Sequence, residues 1–230
     1  MVDFKKSIKK PETIVSLCLL VLLGSVFLTH PFLRIPFDPW EHLIKIRSIY
    51  DTGTCFLYWP EYGSSYCSWH FSWAKLFGFF GINNSFHWAY IIHFAQSIFS
   101  IISVYYFAFT VFRLCNIRTT HIELQILAFF ATIFWLTGNG TFSIDRQQAW
   151  LIWYSLTYQG LTVPLFWLMV AWLLKILFND IPSTFFKFFY AVLIFFSFFV
   201  LLFFHPTEAA FFLIYFVIIF VFSPSALSIK

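Results

Sequence analysis

The most chemically capable residues in this chain are Asp38, Glu41 and His42, within the run Phe37-Asp38-Pro39-Trp40-Glu41-His42. Two carboxylates and an imidazole in so short a stretch can move protons, hold a divalent cation or cap a helix. The run directly follows the first membrane-length apolar segment. Titratable groups at membrane depth are costly and are often functional. Their address therefore matters as much as their chemistry.

The local element that must position them is legible. Asp38 suits an N-cap, Pro39 the first helical residue, and Glu41 the acidic partner of a capping box. The helix that follows, Trp40 to Thr52, carries Trp40, Leu43, Ile44, Arg47 and Tyr50 on one stripe. Glu41 and Lys45 pair four residues apart on another, and Gly53 ends the helix as its C′ residue. The pattern predicts an amphipathic helix lying on the membrane surface. Capping leaves lone pairs of a carboxylate unoccupied, so the structural role does not exclude a chemical one.

Composition sets the class. Of 230 residues, 60% are hydrophobic and only 10% charged, with 36 Phe and 10 Trp, and the mean hydropathy is +0.81. A soluble domain carries about a quarter charged residues. Several apolar stretches approach the roughly 20 residues that cross a bilayer core, and they are continuous rather than alternating, which argues against a β-barrel. The net charge of +4 is too small and dispersed for nucleic-acid binding. The expectation is an all-α polytopic membrane protein, a single transmembrane domain over 1–230 with the bilayer as its first partner.

Six spans are predicted, near 12–30, 86–112, 122–138, 160–178, 184–204 and 208–223. The segments 68–81 and 147–157 are apolar but short and read as interfacial helices. The first span follows Lys5, Lys6, Lys9 and Lys10, and Thr29-His30-Pro31 makes a poor cleavage site, so it reads as a retained signal anchor. With the N-terminus inside, nine of the 14 Lys and Arg fall on the cytoplasmic side, in the shorter segments. Both termini are therefore placed in the cytoplasm. The membrane would be the plasma or inner membrane in a bacterium and the endoplasmic reticulum in a eukaryote. Three segments face outward: a long one over about 31–85, a second over about 139–159, and the turn His205-Pro206-Thr207-Glu208. No soluble domain, linker or repeat is evident. The Phe-rich stretch from Phe185 to Phe222 reads as lipid-facing bulk.

Cys55 and Cys67 share the first outward segment, where an oxidising compartment permits a disulfide. Two unpaired thiols fit the sequence equally well. Cys18 lies in the membrane and Cys115 on the reducing side, and no zinc-ligand spacing appears.

A membrane helix, an aspartate and then a surface helix of this form resembles the start of GT-C-type glycosyltransferases. Oligosaccharyltransferase catalytic subunits and polyprenyl-phosphate-sugar transferases are the nearest likeness. The matching residues are Asp38-Pro39-Trp40-Glu41-His42-Leu43-Ile44-Lys45-Ile46-Arg47, continuing to Tyr50-Asp51-Thr52-Gly53, roughly 16 positions. The resemblance implies a polyprenyl-phosphate-linked sugar donor, an outward-facing site, and an acidic Asp38 that binds the acceptor or a divalent metal. It also implies a second acidic site in the outward loop between the third and fourth helices, where Asp145 is the only acid. Asp38 and Asp145, helped by Glu41, would then hold Mg²⁺ or Mn²⁺, which favour oxygen ligands. Asp145-Arg146 reads equally well as a solvated loop pair.

The third outward turn supplies His205 and Glu208, with Glu208 also suited to the start of the last helix. Six of the ten acidic residues fall outside: Asp38, Glu41, Asp51, Glu61, Asp145 and Glu208. Arg47, Lys75 and Arg146 are outward cations able to receive a phosphate leaving group, and His42 joins Arg47, Arg146, His205 and Glu208 as a candidate substrate contact. Trp40, Trp59, Trp69, Trp73, Trp150, Trp153 and Tyr158 could stack on sugars, although an interfacial aromatic belt accounts for them better. The expected mechanism has Asp38 orient or deprotonate a glycan, lipid or protein acceptor. The acceptor attacks the anomeric carbon, and the phosphate leaves under cationic stabilisation.

Members of that class usually carry more membrane helices, and many add a C-terminal outer domain. The chain therefore reads as a minimal module, a piece of a longer protein or a degenerate relative. The stretch Tyr58-Trp59-Pro60-Glu61-Tyr62-Gly63 also lacks the Pro-Gly pattern of the class. The alternative function is a non-catalytic membrane subunit, or a transporter or flippase, of lipid-linked glycan or polysaccharide assembly. Polar residues in the middle of the predicted spans (His93, Gln96, Thr132, Ser197) are few for a translocation path. Asn83-Asn84-Ser85 and Asn139-Gly140-Thr141 are outward glycosylation sequons if the host is eukaryotic.

Overall fold

The computed structural model describes residues 37–55, 67–115, 120–137, 157–178, 180–181 and 183–222, with the side chains at 37–39, 136–137 and 222 outside that description. The predicted first span, 12–30, and the interfacial segment 147–157, apart from Thr157, lie outside the described residues. Within them the protein is all-helical. Seven helices follow in order: α1 (Phe37–Thr52), α2 (Ser68–Phe79), α3 (Ser85–Leu114), α4 (His121–Thr137), α5 (Gln159–Leu177), α6 (Thr184–Phe204) and α7 (Pro206–Phe222).

Three of these, α3, α5 and α6, are long and apolar enough to cross a membrane, and α4 and α7 are shorter apolar helices. Local chemistry accounts for the bounds. Asn84 caps α3 by accepting from the Phe86 N–H at 2.9 Å. A capping box opens α4: the Thr120 N–H donates to the Glu123 carboxylate at 2.7 Å, and the Glu123 N–H donates to the Thr120 hydroxyl. Between α6 and α7 a single non-helical residue, His205, precedes Pro206, whose ring disfavours helix at the residue before it.

The helices pack as a bundle in which α3 and α5 are central: α3 meets α4 and α5, and α5 meets α6 and α7. The α5–α6–α7 contact buries Leu165, Phe166, Met169, Val170, Leu173, Leu201, Ala209 and Phe212. Small and hydroxyl-bearing side chains let α3 approach α5 closely, and the Ser100 hydroxyl donates to the Gly160 carbonyl at 3.4 Å. The Phe-rich α6 buries only Leu201. Most of its phenylalanines point away from the bundle, with Phe185 70% and Phe188 69% exposed, while Phe198 and Phe204 pack on its core.

The helices α1 and α2 lie at one end of this bundle, against the start of α3, the start of α5 and the end of α6. Their core is Leu43, Ile46, Ile49, Trp69, Ala74, Phe77, Trp88, Ala89 and Ile92, with Tyr158 and Phe204 packed on it. Trp88 is its centre: fully buried, stacked on Phe77 at 5.1 Å, and donating its indole N–H to the Ile82 carbonyl at 2.7 Å. The opposite end carries a different set of contacts, with Arg113 bound to Asp180 at 2.7 Å and Lys175 over the Tyr106 ring.

One expectation for α1 needs correction. The helix already begins at Phe37, so Asp38 stands inside the first turn instead of before it. A negative charge is still favoured there by the helix dipole. The predicted stripe is split: Ile44 is 55% and Trp40 37% exposed, its Leu43 is buried, and the protein-facing side of the helix runs through His42, Leu43, Ile46 and Ile49. The helix does stop at Thr52, where Gly53 adopts φ +73°. A Cβ there would meet nothing within 4 Å, so the cost of a side chain is purely in the backbone. Gly53→Ala is expected to cost about 1 kcal/mol and to lower the thermal midpoint by about 2–4 °C, read in detergent or nanodiscs.

Candidate functional site

The site grows from the buried face of α1. His42 sits one turn before Ile46 on that face and is carried into the core with it. It meets His70, which α2 buries through the same 3–4 spacing, with Ala74 and Phe77 following on its face. The His42 Nδ1 and His70 Nε2 atoms lie 2.7 Å apart, one ring donating and the other accepting. The rings are stacked, with centroids 4.9 Å apart. Both are closed off from solvent, His42 at 6% and His70 at 1% exposure.

Three further residues extend this pair. The Tyr158 ring, in the turn that opens α5, meets His42 edge-on at 5.4 Å. Its other side stacks on His205 at 4.7 Å. His205 Nδ1 in turn contacts the Glu208 carboxylate in the first turn of α7. A continuous line of titratable side chains thus runs from α2 through α1 and α5 to the α6–α7 turn: His70, His42, Tyr158, His205 and Glu208.

Electrostatics decide which forms these groups take. Burial, the nearby Lys45 ammonium and, in the opposite sense, Glu41 set the His42 pKa, which falls to about 4. An imidazolium would be desolvated there, so His42 is neutral at neutral pH. Burial also pushes His205 below its ordinary value. A neutral imidazole has one N–H and one lone pair. With Nδ1 directed at a carboxylate, the N–H belongs on Nδ1 and the lone pair on Nε2.

The other expected site residues divide clearly. Asp145 and Arg146 lie outside the described residues, as does the side chain of Asp38, although its backbone is in α1. Glu41 pairs with Lys45 at 2.6 Å, as the spacing predicts. Arg47 is committed elsewhere. It donates to Asp51 and to the Asn83 carbonyl, both at 2.6 Å, and lies over the Trp88 and Tyr50 rings. That ties α1 to the segment before α3. Trp69 is 1% exposed and packs edge-on against His42; it is neither part of an aromatic belt nor an open sugar platform. Cys55 and Cys67 are joined as a disulfide with their Cα atoms 6.4 Å apart, and Cys67 is the residue before α2, three positions from His70.

Among the described residues no group of three His, Cys, Asp or Glu side chains stands together as a metal-ligand set; Asp145 and the side chain of Asp38 lie outside them. The acids whose side chains are described at this end, Glu41, Asp51 and Glu208, are each engaged by a neighbouring base.

His70 is the residue that the motif-centred sequence reading missed. Its signal was present: a histidine on an apolar helical face with Ala74 and Phe77. What the signal lacked was a partner, because His42 is 28 residues away on a separate helix.

The fold and the site together define an α-helical membrane protein with a buried histidine line at one end of its bundle. No protein family, curated protein or solved structure matches the chain.

Proposed function

We propose that the protein is a GT-C-type transferase that moves a sugar from a polyprenyl-phosphate donor to an acceptor at the outer membrane face. In this reading six helices cross the membrane, counting the segment 12–30, both termini are cytoplasmic, and α1 and α2 lie in the outer interface. One observation carries it. The helix bearing Asp38 and Glu41 docks its own His42 into a line of acid–base groups drawn from three other parts of the bundle. A surface helix that served only as an anchor would bury apolar residues on that face. Here it buries an imidazole among Leu43, Ile46 and Ile49, at the end of the bundle where a lipid-linked phosphate would lie.

The roles follow. Asp38, in the first turn of α1, orients the acceptor. Arg146 and the exposed Lys75 stabilise the departing phosphate, and Arg47 holds α1 in place instead of contacting phosphate. The Asp38→Asn variant, reconstituted in proteoliposomes with a panel of polyprenyl-phosphate sugars, should fold with an unchanged thermal midpoint and lose at least tenfold in transfer. A folded variant that transfers at the wild-type rate would refute the role of Asp38.

A second reading has one observation in its favour. Ser97, Ser103 and Thr110 on α3 and Thr162 on α5 are buried in the bundle with no hydrogen-bond partner among the described residues, a more polar interior than the predicted spans suggest. A flippase or non-catalytic subunit for lipid-linked glycans would use such a stripe and would leave Asp38 dispensable. The same Asp38→Asn measurement, paired with a lipid-scrambling assay, separates the two.

A further inference from the structure

The α6–α7 turn is built in a way that capping alone does not require. His205 ends α6, Pro206 opens α7 and Glu208 follows in its first turn. Glu208 occupies the position from which an acidic side chain normally reaches back to the backbone N–H of the cap residue. Here its carboxylate contacts the imidazole of His205 instead, while the His205 N–H donates to the Leu201 carbonyl at 2.8 Å. Glu208 is nearly sealed, at 9% exposure, and Tyr158 covers one face of the imidazole. The His205 side chain keeps 16% of its surface exposed. No hydrogen bond engages its Nε2 among the described residues.

We propose that His205, oriented by Glu208, is the proton acceptor of this site, and that its substrate is a hydroxyl group of a glycan or lipid. The assignment rests on the transferase reading above. It differs from that reading in giving the proton to His205 and leaving Asp38 to orient the acceptor. The carboxylate fixes the tautomer by accepting the Nδ1–H, which leaves the lone pair on Nε2, the ring nitrogen that no described residue engages. The acceptor O–H proton passes to Nε2 as its oxygen forms a bond to the anomeric carbon. The bond from that carbon to the phosphate oxygen breaks, and its electron pair leaves with the phosphate. The imidazolium so formed is stabilised by Glu208 and returns its proton to water or to the departing phosphate. A hydroxyl suits this base better than a carboxamide, whose nitrogen lone pair is delocalised into the carbonyl. Glu208 is a positioning residue in this scheme, and Tyr158 holds the ring from the side that leads to His42.

Diethyl pyrocarbonate, which acylates neutral imidazole, tests the dyad without any sugar substrate. In proteoliposomes, with sites located by peptide mass, His205 should react at least tenfold faster than the enclosed His42 and His70. The pH inflection of its rate should move down in Glu208→Gln, because the carboxylate that favours the imidazolium is gone. Glu208→Asp, checked for an unchanged thermal midpoint, serves as the second variant and should retain part of the wild-type inflection. A His205 as slow as His70, or an inflection indifferent to Glu208→Gln, overturns the dyad. With transfer as the readout, acylation should lower wild-type activity at least tenfold, with no further loss in His205→Gln. Transfer that proceeds normally in His205→Gln overturns the base assignment alone. Dyad-like reactivity in a protein that transfers no sugar from any donor in the panel overturns the transferase reading and the proposed substrate with it.

Discussion

Replacing Cys55 and Cys67 together by serine is expected to cost about 3 kcal/mol of stability, and the cost should appear chiefly at the histidine line. The two residues are 12 positions apart, and in the chain-entropy account closing a loop of that size removes about 3 kcal/mol of unfolded-state freedom. The location makes the effect local as well as global. Cys67 is fully buried and immediately precedes α2, whose first turn carries Trp69 and His70. Releasing it frees the start of the helix that holds His70 against His42. The double variant should therefore unfold at lower temperature or denaturant, and diethyl pyrocarbonate should reach His70, which it spares in the wild type.

The same disulfide reports on orientation. Disulfides persist in oxidising compartments and are rare where thiols are kept reduced. In unreduced membranes from a Cys18→Ser background, a maleimide should label Cys115 at the opposite end of α3 and spare Cys55 and Cys67. Reduction in denaturant should add two labels. Labelling of Cys55 or Cys67 without reductant would remove both the disulfide and the outward placement of α1 and α2.

The helices were legible in the sequence and the site was only partly so, for one physical reason. Apolar runs bounded by turn residues mark where a helix begins and ends, so 86–112, 122–138, 160–178 and 184–204 fall within a residue or two of α3, α4, α5 and α6. Which face of such a helix meets protein is harder to read. In a membrane chain both faces are apolar, and hydrophobic spacing does not separate lipid-facing from core-facing residues. In α1 the apolar stripe through Trp40, Leu43, Ile44 and Tyr50 shares only Leu43 and the half-buried Tyr50 with the protein-facing side, which runs through His42, Ile46 and Ile49. Polar residues are the better guide here, since a buried histidine in an apolar helix must find a partner. His205 and Glu208 share one turn, so their contact lies within local spacing. The His42–His70 and His42–Tyr158 contacts join separate elements, and local pattern could not pair them.

Acid should weaken this protein through His42, and the size and sign can be worked out. Its pKa falls from 6.5 in the unfolded chain to about 4 in the fold. Between those values the unfolded chain takes up a proton that the folded protein refuses, so stability rises with pH across the window. The contribution is fully present above pH 6.5 and is lost as pH falls toward 4. Each pKa unit corresponds to about 1.4 kcal/mol, which makes the full loss about 3 kcal/mol. The cause is structural: an imidazolium at this position would be buried against Trp69, His70 and Tyr158, with Lys45 nearby. His42→Asn is the informative variant, because its amide can still meet His70 Nε2 from roughly the Nδ1 position but does not titrate near neutrality. Thermal midpoints between pH 7 and pH 4 should fall steeply in the wild type and more gently in His42→Asn, with the two curves diverging below pH 6.5. Parallel curves would mean that His42 is solvated or already charged in the fold, and the line from His70 to Glu208 would then be broken at its second member.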